Sequence, residues 1–202
     1  MTRRVEFFFD VRSPAAYLAW TQLPALCAQT GAQLAYRPML LGAVFQATGN
    51  SSPATVPAKA RHSPVDFGRF ARRYGVPYAA NPHFPIITLT LMRAVTGVQS
   101  RHPDRLESLL SMLFRAIWVD SLNLNDGQVV ASVLEKGGFD PAFIEQLAAD
   151  PAVKTALRDT TEEAVRRGVF GAPTFFVGDQ MFFGQDRMDF VREALMQGNQ
   201  KP

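Results

Sequence analysis

The sequence is poor in cysteine, in clustered charge and in long apolar runs. Cys27 is its one cysteine, so the chain can form no internal disulfide and has no Cys-x-x-Cys redox motif. Lysine and arginine total 21 against 18 acidic residues, and no basic run is longer than two residues. Nucleic-acid binding needs clustered positive charge and is therefore not expected. No apolar stretch reaches the ~20 residues of a membrane-spanning helix, so no membrane partner is expected.

Catalytic and metal-binding motifs are also scarce. The chain has no phosphate-binding glycine loop, no HExxH and no GxSxG pattern. Its three histidines, His62, His83 and His102, lack metal-ligand spacing, and no metal is expected. A serine hydrolase would need a histidine base beside its serine, and nothing in the sequence supports one. The start lacks the apolar core and cleavage site of a signal peptide, so we expect a cytoplasmic protein.

What is present is enough apolar material for a folded domain. Hydrophobic residues make up 47% of the 202 residues and charged residues 19%. Residues 5–9 predict a mostly buried strand, and residues 34–37 alternate as a second strand. Between them, Ser13-Pro14 and Gly31 are typical of the start and end of a helix. This part of the chain predicts a strand–helix–strand unit with a parallel pair of strands.

A long helical segment is predicted next. Gly49, Asn50 and Pro53 indicate a long loop over residues 42–62. After this loop, cap residues and apolar spacing predict a run of helices. These helices are predicted from Ser63-Pro64 to Gly75, over 86–95 and 104–119, from Asp126 to Gly137, and from Asp140-Pro141 and Asp150-Pro151, the last ending at Gly168.

The pattern then returns to strands. Residues 174–177 and 181–183 flank Gly178-Asp179 as a predicted hairpin. Asp186 is predicted to begin a final helix, with Phe190, Val191, Ala194 and Leu195 facing inward.

This element order is that of a thioredoxin fold with an all-helical insertion. We therefore predict an α/β fold with a thioredoxin-like domain of residues 1–40 and 169–202. Residues 41–168 are predicted to form a helical insertion domain.

Ser13 is the first candidate for chemistry, because it lies where the first helix begins. In a thioredoxin fold this position holds the nucleophilic cysteine. Here Ser13-Pro14-Ala15-Ala16 lacks both sulfurs, which excludes disulfide exchange by the chain itself. The helix end keeps its unpaired N–H groups and partial positive charge, which stabilise a bound thiolate. The alternative is that Ser13 is an ordinary helix cap.

The other candidates have equally plain alternatives. The bond Ala172-Pro173 is either the cis-proline bond ahead of the third thioredoxin strand, beside which an extended ligand can pair, or an ordinary turn. Gln185 and Asp186 either hold a ligand amine or cap the last helix. Asn50 and Lys59 lie in the long loop, and the alternative for Lys59 is a solvated surface lysine.

Together these residues resemble one family. The segment 9–17, Phe-Asp-Val-Arg-Ser-Pro-Ala-Ala-Tyr, resembles the start of the 2-hydroxychromene-2-carboxylate isomerases. These isomerases and the kappa-class glutathione transferases form one branch of the DsbA-like thioredoxin superfamily. The resemblance extends over essentially the full length, and its further motifs are Gly49-Asn50, Phe84-Pro85 with Arg93 shortly after, residues 168–174 and residues 183–188.

The resemblance implies glutathione as the cofactor and a homodimer as the assembly. It implies that Ser13 contacts the glutathione sulfur and that Ala172 pairs with its backbone. It further implies that Gln185 and Asp186 hold the γ-glutamyl end, with Asn50 and Lys59 reaching the cofactor from the insertion.

The reaction implied is the isomerisation of a small aromatic 2-oxo acid in aromatic hydrocarbon breakdown. The glutathione thiolate adds to the conjugated double bond of the ring-opened acid, the resulting single bond rotates, and elimination returns glutathione and the trans product. Phe45, Phe84 and Trp118 are candidates for the aromatic wall of the substrate pocket, with arginines supplying a cation.

Two departures and two alternatives accompany this prediction. Near Phe45 the chain lacks the lysine of the naphthalene-pathway isomerases, and Thr55 and Val56 stand where those enzymes carry polar residues. Another aromatic or unsaturated acid therefore remains open as the substrate. The alternative functions are a kappa-like glutathione transferase and a redox-inactive thioredoxin-like module that binds extended peptides.

Overall fold

A mixed four-stranded sheet organises the computed structural model, which describes residues 3–197. The first strand, β1 (Arg4–Phe9), pairs in parallel with β2 (Gln33–Pro38) and antiparallel with β3 (Thr174–Val177). The last strand, β4 (Gln180–Phe183), pairs antiparallel with β3 and lies at one edge, so the order is β2-β1-β3-β4. All four strands lie where the sequence predicts them.

The first helix, α1 (Pro14–Thr30), connects the two parallel strands. Ser13 caps it, because its side chain accepts a hydrogen bond from the Ala16 N–H, and Pro14 occupies the first helical position. Gly31 ends it at a φ of 65°, a left-handed conformation that glycine adopts without steric cost. The predicted start and end are both confirmed.

Every regular element described between β2 and β3 is helical. Three short 3₁₀ turns accompany the helices in the chain, at Pro53–Thr55, Pro103–Arg105 and Gln185–Arg187. The helices are α2 (Leu41–Thr48), α3 (Pro57–Tyr74), α4 (Leu89–Arg101), α5 (Leu106–Trp118), α6 (Gly127–Lys136), α7 (Pro141–Ala149), α8 (Pro151–Arg166) and, after β4, α9 (Met188–Gln197). The protein is therefore an α/β protein with a thioredoxin-like sheet and a helical insertion, as predicted.

The predicted loop over residues 42–62 is wrong in most of its length. Two helices occupy much of it: α2 begins at Leu41, and α3 begins at Pro57 rather than at Ser63. The residue before α2, Leu40, makes no capping hydrogen bond with its side chain. The sequence therefore contains no capping signal for the start of this helix. Pro64, predicted to be a first helical residue, lies inside α3.

Two further local predictions are wrong. The helix predicted over 86–95 begins at Leu89 and continues to Arg101. Phe190, predicted to face inward from the last helix, is 54% exposed, whereas Val191, Ala194 and Leu195 are buried as predicted.

The two faces of the sheet are buried in different clusters. Phe7, Phe9 and Phe175 face a large cluster that includes α1 and the apolar face of α5. Phe8 and Phe176 face a smaller cluster closed by α2 and α8. The larger cluster joins sheet residues and helices of the insertion in one core, and the division into two domains stays a prediction. No helix between residues 3 and 197 combines the length and apolarity needed to cross a lipid bilayer.

Candidate functional site

Ser13 lies at the junction of the helix end and the loop before β3. Its hydroxyl donates to the Ala172 carbonyl at 3.0 Å and accepts from the Ala16 N–H at 3.1 Å. The side chain is therefore both the helix cap and a contact to the loop, and the residue is only 5% exposed. Within residues 3–197 the Ala15 N–H donates no hydrogen bond, so the helix end keeps one free donor.

The loop before β3 contains a cis bond, the first of the two alternatives that the sequence left open. The Ala172-Pro173 peptide is cis, and the Pro173 carbonyl accepts from the Gly184 N–H at 3.0 Å. That bond brings the segment after β4 against the loop. In the part of the chain that the structure describes, the Ala172 N–H donates no hydrogen bond and remains available to an acceptor.

Two more predicted residues converge on this loop. Asn50 Nδ2 donates to the Phe170 carbonyl at 2.8 Å, which ties the α2–α3 connection to the cis-proline loop. Gln185 follows Gly184 and is buried, and its backbone carbonyl accepts from the Tyr74 hydroxyl at 2.8 Å. Ser13, Asn50, Ala172 and Gln185 are thus brought together around one loop.

The charged candidates lie at the surface of this region. Asp186 is exposed and forms an ion pair with the neighbouring Arg187. Lys59 is exposed in the first turn of α3 and makes no ion pair among residues 3–197. No hydrogen bond or ion pair within residues 3–197 joins Lys59 to the other candidates.

Sequence reasoning missed a buried carboxyl beneath the site, Asp10. Its two oxygens accept from the backbone N–H groups of Arg12 and Leu41, each at 3.0 Å, so it joins the β1–α1 loop to the start of α2. Burial raises the pKa of Asp10, while these hydrogen bonds, the Thr88 hydroxyl and the Arg12 charge lower it. An acidic residue directly after a buried strand was the signal available.

Arg12 itself is a second missed candidate. It is half-buried, immediately precedes Ser13, and makes no ion pair within residues 3–197. Among residues 3–197 no group of three or more histidine, cysteine or acidic side chains is placed to hold a metal ion.

The predicted aromatic wall divides into two places. Phe84 and Trp118 lie together, with ring centroids 6.2 Å apart, and the Trp118 indole N–H donates to the Val11 carbonyl at 2.8 Å. Trp118 is 2% exposed, so its ring supports the β1–α1 loop from behind. Phe45 instead packs in the smaller cluster, to which Ala172 also belongs. Substrate contact by these three residues stays a prediction.

An exposed aromatic pair flanks the cis-proline loop and was not among the candidates. Phe170 and Phe183 have ring centroids 4.6 Å apart and are 38% and 42% exposed. A Cβ at Gly171 would lie 2.7 Å from the Phe183 ring, so a larger residue there would have to displace this ring. Both residues belong to motifs quoted in the sequence, yet no pattern marked them as surface aromatics.

The groups described above offer a ligand three kinds of contact. A hydroxyl and a free N–H at a helix end can stabilise an anionic sulfur. A free backbone N–H before the cis-proline can pair with an extended peptide-like ligand. The exposed aromatic rings can cover one side of a flat ligand.

Comparisons with known proteins show the family to which the chain belongs. The family model of the DSBA-like thioredoxin domain matches residues 4–196. A 2-hydroxychromene-2-carboxylate isomerase from Sphingobium xenophagum is 32% identical, over 97% of this chain and 100% of its own length. Glutathione S-transferase kappa 1 from Rattus norvegicus is 30% identical, over 96% of this chain and 91% of its own length.

A solved structure extends the similarity to three dimensions. The structure of a 2-hydroxychromene-2-carboxylate isomerase matches with a TM-score of 0.83 at 28% identity, covering 96% of this chain and 95% of that chain.

Proposed function

Because this chain belongs to the DSBA-like thioredoxin family, and within it to the group of the 2-hydroxychromene-2-carboxylate isomerases, we propose that it is a glutathione-dependent isomerase. Its substrate is proposed to be 2-hydroxychromene-2-carboxylate or a related small aromatic 2-oxo acid from aromatic hydrocarbon catabolism. Glutathione supplies a thiolate that adds reversibly to a conjugated double bond.

The observation that carries the proposal is the contact between Ser13 and Ala172. It brings the helix end, which favours an anionic sulfur, next to a backbone N–H that fits a peptide-like cofactor. In this role the Ser13 hydroxyl turns its proton from the Ala172 carbonyl towards the sulfur, while its oxygen still caps the helix. The Ala15 N–H is the second donor that stabilises the thiolate.

The remaining residues fit the two ends of glutathione. The exposed Asp186 carboxylate suits the ammonium of the γ-glutamyl end, and the neighbouring Gln185 adds an amide. Lys59 suits the opposite carboxylate, because it lies in a helical first turn without an ion-pair partner among residues 3–197. Asn50 holds the α2–α3 connection against the cis-proline loop.

The substrate is proposed to lie against the exposed rings beside this loop. Phe170 and Phe183 offer an apolar surface for a flat ring, and Arg12 offers a cation for its carboxylate. Phe45 and Phe84 remain proposed as inner walls at two separate places, and the buried Trp118 packs beside Phe84.

The test is a turnover assay in which the concentration of free glutathione thiol is measured before and after the reaction. The purified protein is mixed with 2-hydroxychromene-2-carboxylate, and absorbance is followed with reduced glutathione, with S-methyl glutathione and with neither. We expect turnover with reduced glutathione alone, and complete recovery of the free thiol at the end. Turnover without any thiol, or none with it, would contradict the proposal.

A glutathione transferase is the second candidate, favoured by the kappa 1 relative that is 30% identical. It differs in that the thiol remains joined to the electrophile. Consumption of glutathione in step with product would therefore decide for the transferase. Thermal stabilisation by an extended peptide, with none by glutathione, would favour a peptide-binding module.

Two further parts of the proposal concern the setting of the enzyme. We place it in the cytoplasm, because that compartment keeps the glutathione pool reduced. We also propose a homodimer, which light scattering on the eluting protein would test.

A further inference from the structure

A groove between α2, α4 and α8 takes no part in the proposed glutathione site. Its volume is about 680 Å³, within the range of small-molecule sites. Helical spacing shows which side of α2 it occupies: Leu40, Ala43 and Ala47 line it, whereas Gly42 faces Arg12 from the opposite side. Helix α2 therefore separates this groove, called the basic groove below, from the loop that carries Ser13.

The floor of the basic groove is apolar and open to solvent. Leu89 of α4 is 36% exposed there, and α2 contributes only apolar side chains. A hydrocarbon ring lying on this floor would remove exposed apolar surface from water, which favours binding. The apolar lining residues are Leu40, Ala43, Ala47, Leu89, Leu157 and Val165.

The side chains that line the groove around this floor include more cations than carboxylates. Lys154, Arg158 and Arg166 line the groove from α8 and the half-buried Arg93 from α4, against one carboxylate, Glu162. Arg158 pairs with Asp159 at 3.3 Å and with Glu162 at 3.8 Å, so its charge is already balanced. The other three cations form no ion pair with any residue from 3 to 197.

This distribution of charge favours an anionic occupant. An anion beside the other three cations would supply the missing counter-charge. A neutral apolar ligand would gain binding free energy only from contact with the apolar floor.

We propose that the basic groove binds a small amphipathic monoanion, an aromatic carboxylate or sulfonate. Its ring lies on the apolar floor and its anionic group beside the half-buried Arg93, while Lys154 and Arg166 add positive charge from two places about 18 Å apart along α8. This site is additional to the proposed function and does not depend on it.

A matched pair of fluorescent probes tests the site. 8-Anilinonaphthalene-1-sulfonate carries the anionic group, and N-phenyl-1-naphthylamine has the same ring system without it. We expect the sulfonate to bind more tightly, with an affinity that falls as sodium chloride is added. Saturating S-methyl glutathione is expected to leave the bound probe in place, because the proposed glutathione site lies on the other side of α2.

Variants then locate the bound probe. The combined variant Arg93→Gln, Lys154→Gln and Arg166→Gln is expected to raise the Kd of the sulfonate about tenfold or more. Lys136→Gln, at an exposed lysine ending α6 outside the groove, is the matched control and is expected to leave the Kd unchanged. Ala47→Glu, which adds a carboxylate to the groove, is expected to weaken binding while circular dichroism shows the fold intact.

The same measurements can overturn the proposal. Equal affinity of the two probes, displacement by S-methyl glutathione, or a Kd that neither the triple variant nor Ala47→Glu changes would each exclude the basic groove as the anion site. These outcomes leave the proposed isomerase untouched, because its own test measures turnover and thiol recovery.

Discussion

The hydroxyl of Ser13 has one proton and two competing acceptors, the Ala172 carbonyl and the proposed thiolate. Ser13→Ala removes the donor, and we expect kcat/KM for the glutathione-dependent reaction to fall about 10- to 100-fold, the worth of one hydrogen bond to a charged group. The lost cap is expected to cost only about 1 kcal/mol of the free energy of unfolding. Steady-state kinetics and urea denaturation measure the two effects.

Asp126→Ala is the matched control for this variant. Asp126 caps α6 by accepting from the Gln128 N–H at 2.8 Å, so its loss has a similar cost in stability. Its kcat/KM is expected to match the wild type. If Ser13→Ala and Asp126→Ala have the same activity, Ser13 is a cap and no more.

The buried carboxyl of Asp10 makes stability depend on pH in a defined direction. The pKa of Asp10 in the folded state is raised above the unfolded value of 3.8. In the pH window between these two pKa values, the folded state holds a proton that the unfolded state has lost. The free energy of unfolding contributed by Asp10 therefore falls as pH rises through the window. Asp10→Asn is expected to remove this pH dependence.

The same variant is also expected to weaken the fold at the acid end of the range, where the contribution of Asp10 to the free energy of unfolding is complete. An amide offers one oxygen where the carboxyl accepts from two N–H groups, so one buried donor is left without a partner, at about 1–3 kcal/mol. Urea denaturation of both proteins from about pH 3.5 to 7 gives the difference curve. A flat difference curve would show that Asp10 has its ordinary pKa in the fold.

At the scale of single elements, helix α4 packs closely against α7 at one glycine. A Cβ at Gly97 would lie 2.5 Å from Leu147 Cγ, so the two helices approach only because that atom is absent. Gly97→Ala is expected to lower the free energy of unfolding by about 1–3 kcal/mol, since overpacking outweighs the gain in helix propensity. The shift of the urea midpoint measures it.

Gly68 in α3 offers the opposite case. A Cβ there would meet only the end of the Arg72 side chain, at 3.7 Å. Gly68→Ala should therefore raise the free energy of unfolding by about 0.5–1 kcal/mol through helix propensity. A loss of stability in Gly68→Ala equal to that in Gly97→Ala would rule out the packing explanation.

The elements that sequence predicts well are those whose boundaries are marked by their own residues. Ser13 and Gly31 define α1 locally, and Asp126, Asp140 and Asp150 cap the helices they precede. Helix α2 has no such mark. Its first N–H groups are satisfied from far along the chain, by the Thr161 hydroxyl and the Asp10 carboxyl, which is why a loop was predicted there.

The site residues also divide into those that the sequence predicts and those that it misses. The chain order and the resemblance together suffice to predict Ser13, Ala172 and Gln185 as neighbours, because a thioredoxin topology brings those segments together. Asp10 and the Phe170–Phe183 pair were missed, because burial and ring exposure depend on tertiary packing.

At the scale of the whole molecule, one core joins the sheet to the helical insertion. Trp20 of α1 and Trp118 of α5 report on the two parts, and both rings lie close to Phe rings of the insertion. We expect Trp20→Phe and Trp118→Phe, each leaving one tryptophan, to show a single transition at which fluorescence and circular dichroism coincide. Two separate transitions within one variant would mean that the insertion unfolds independently.

The position of β4 at the edge of the sheet has a consequence for how the protein behaves in concentrated solution. The side of β4 away from β3 pairs with no strand from residues 3–197, and Met181 and Phe183 of this strand are 38% and 42% exposed. Such an edge is a template on which a second chain can add a strand. Aggregation on warming should therefore begin at β4, and Met181→Lys should delay the onset of light scattering.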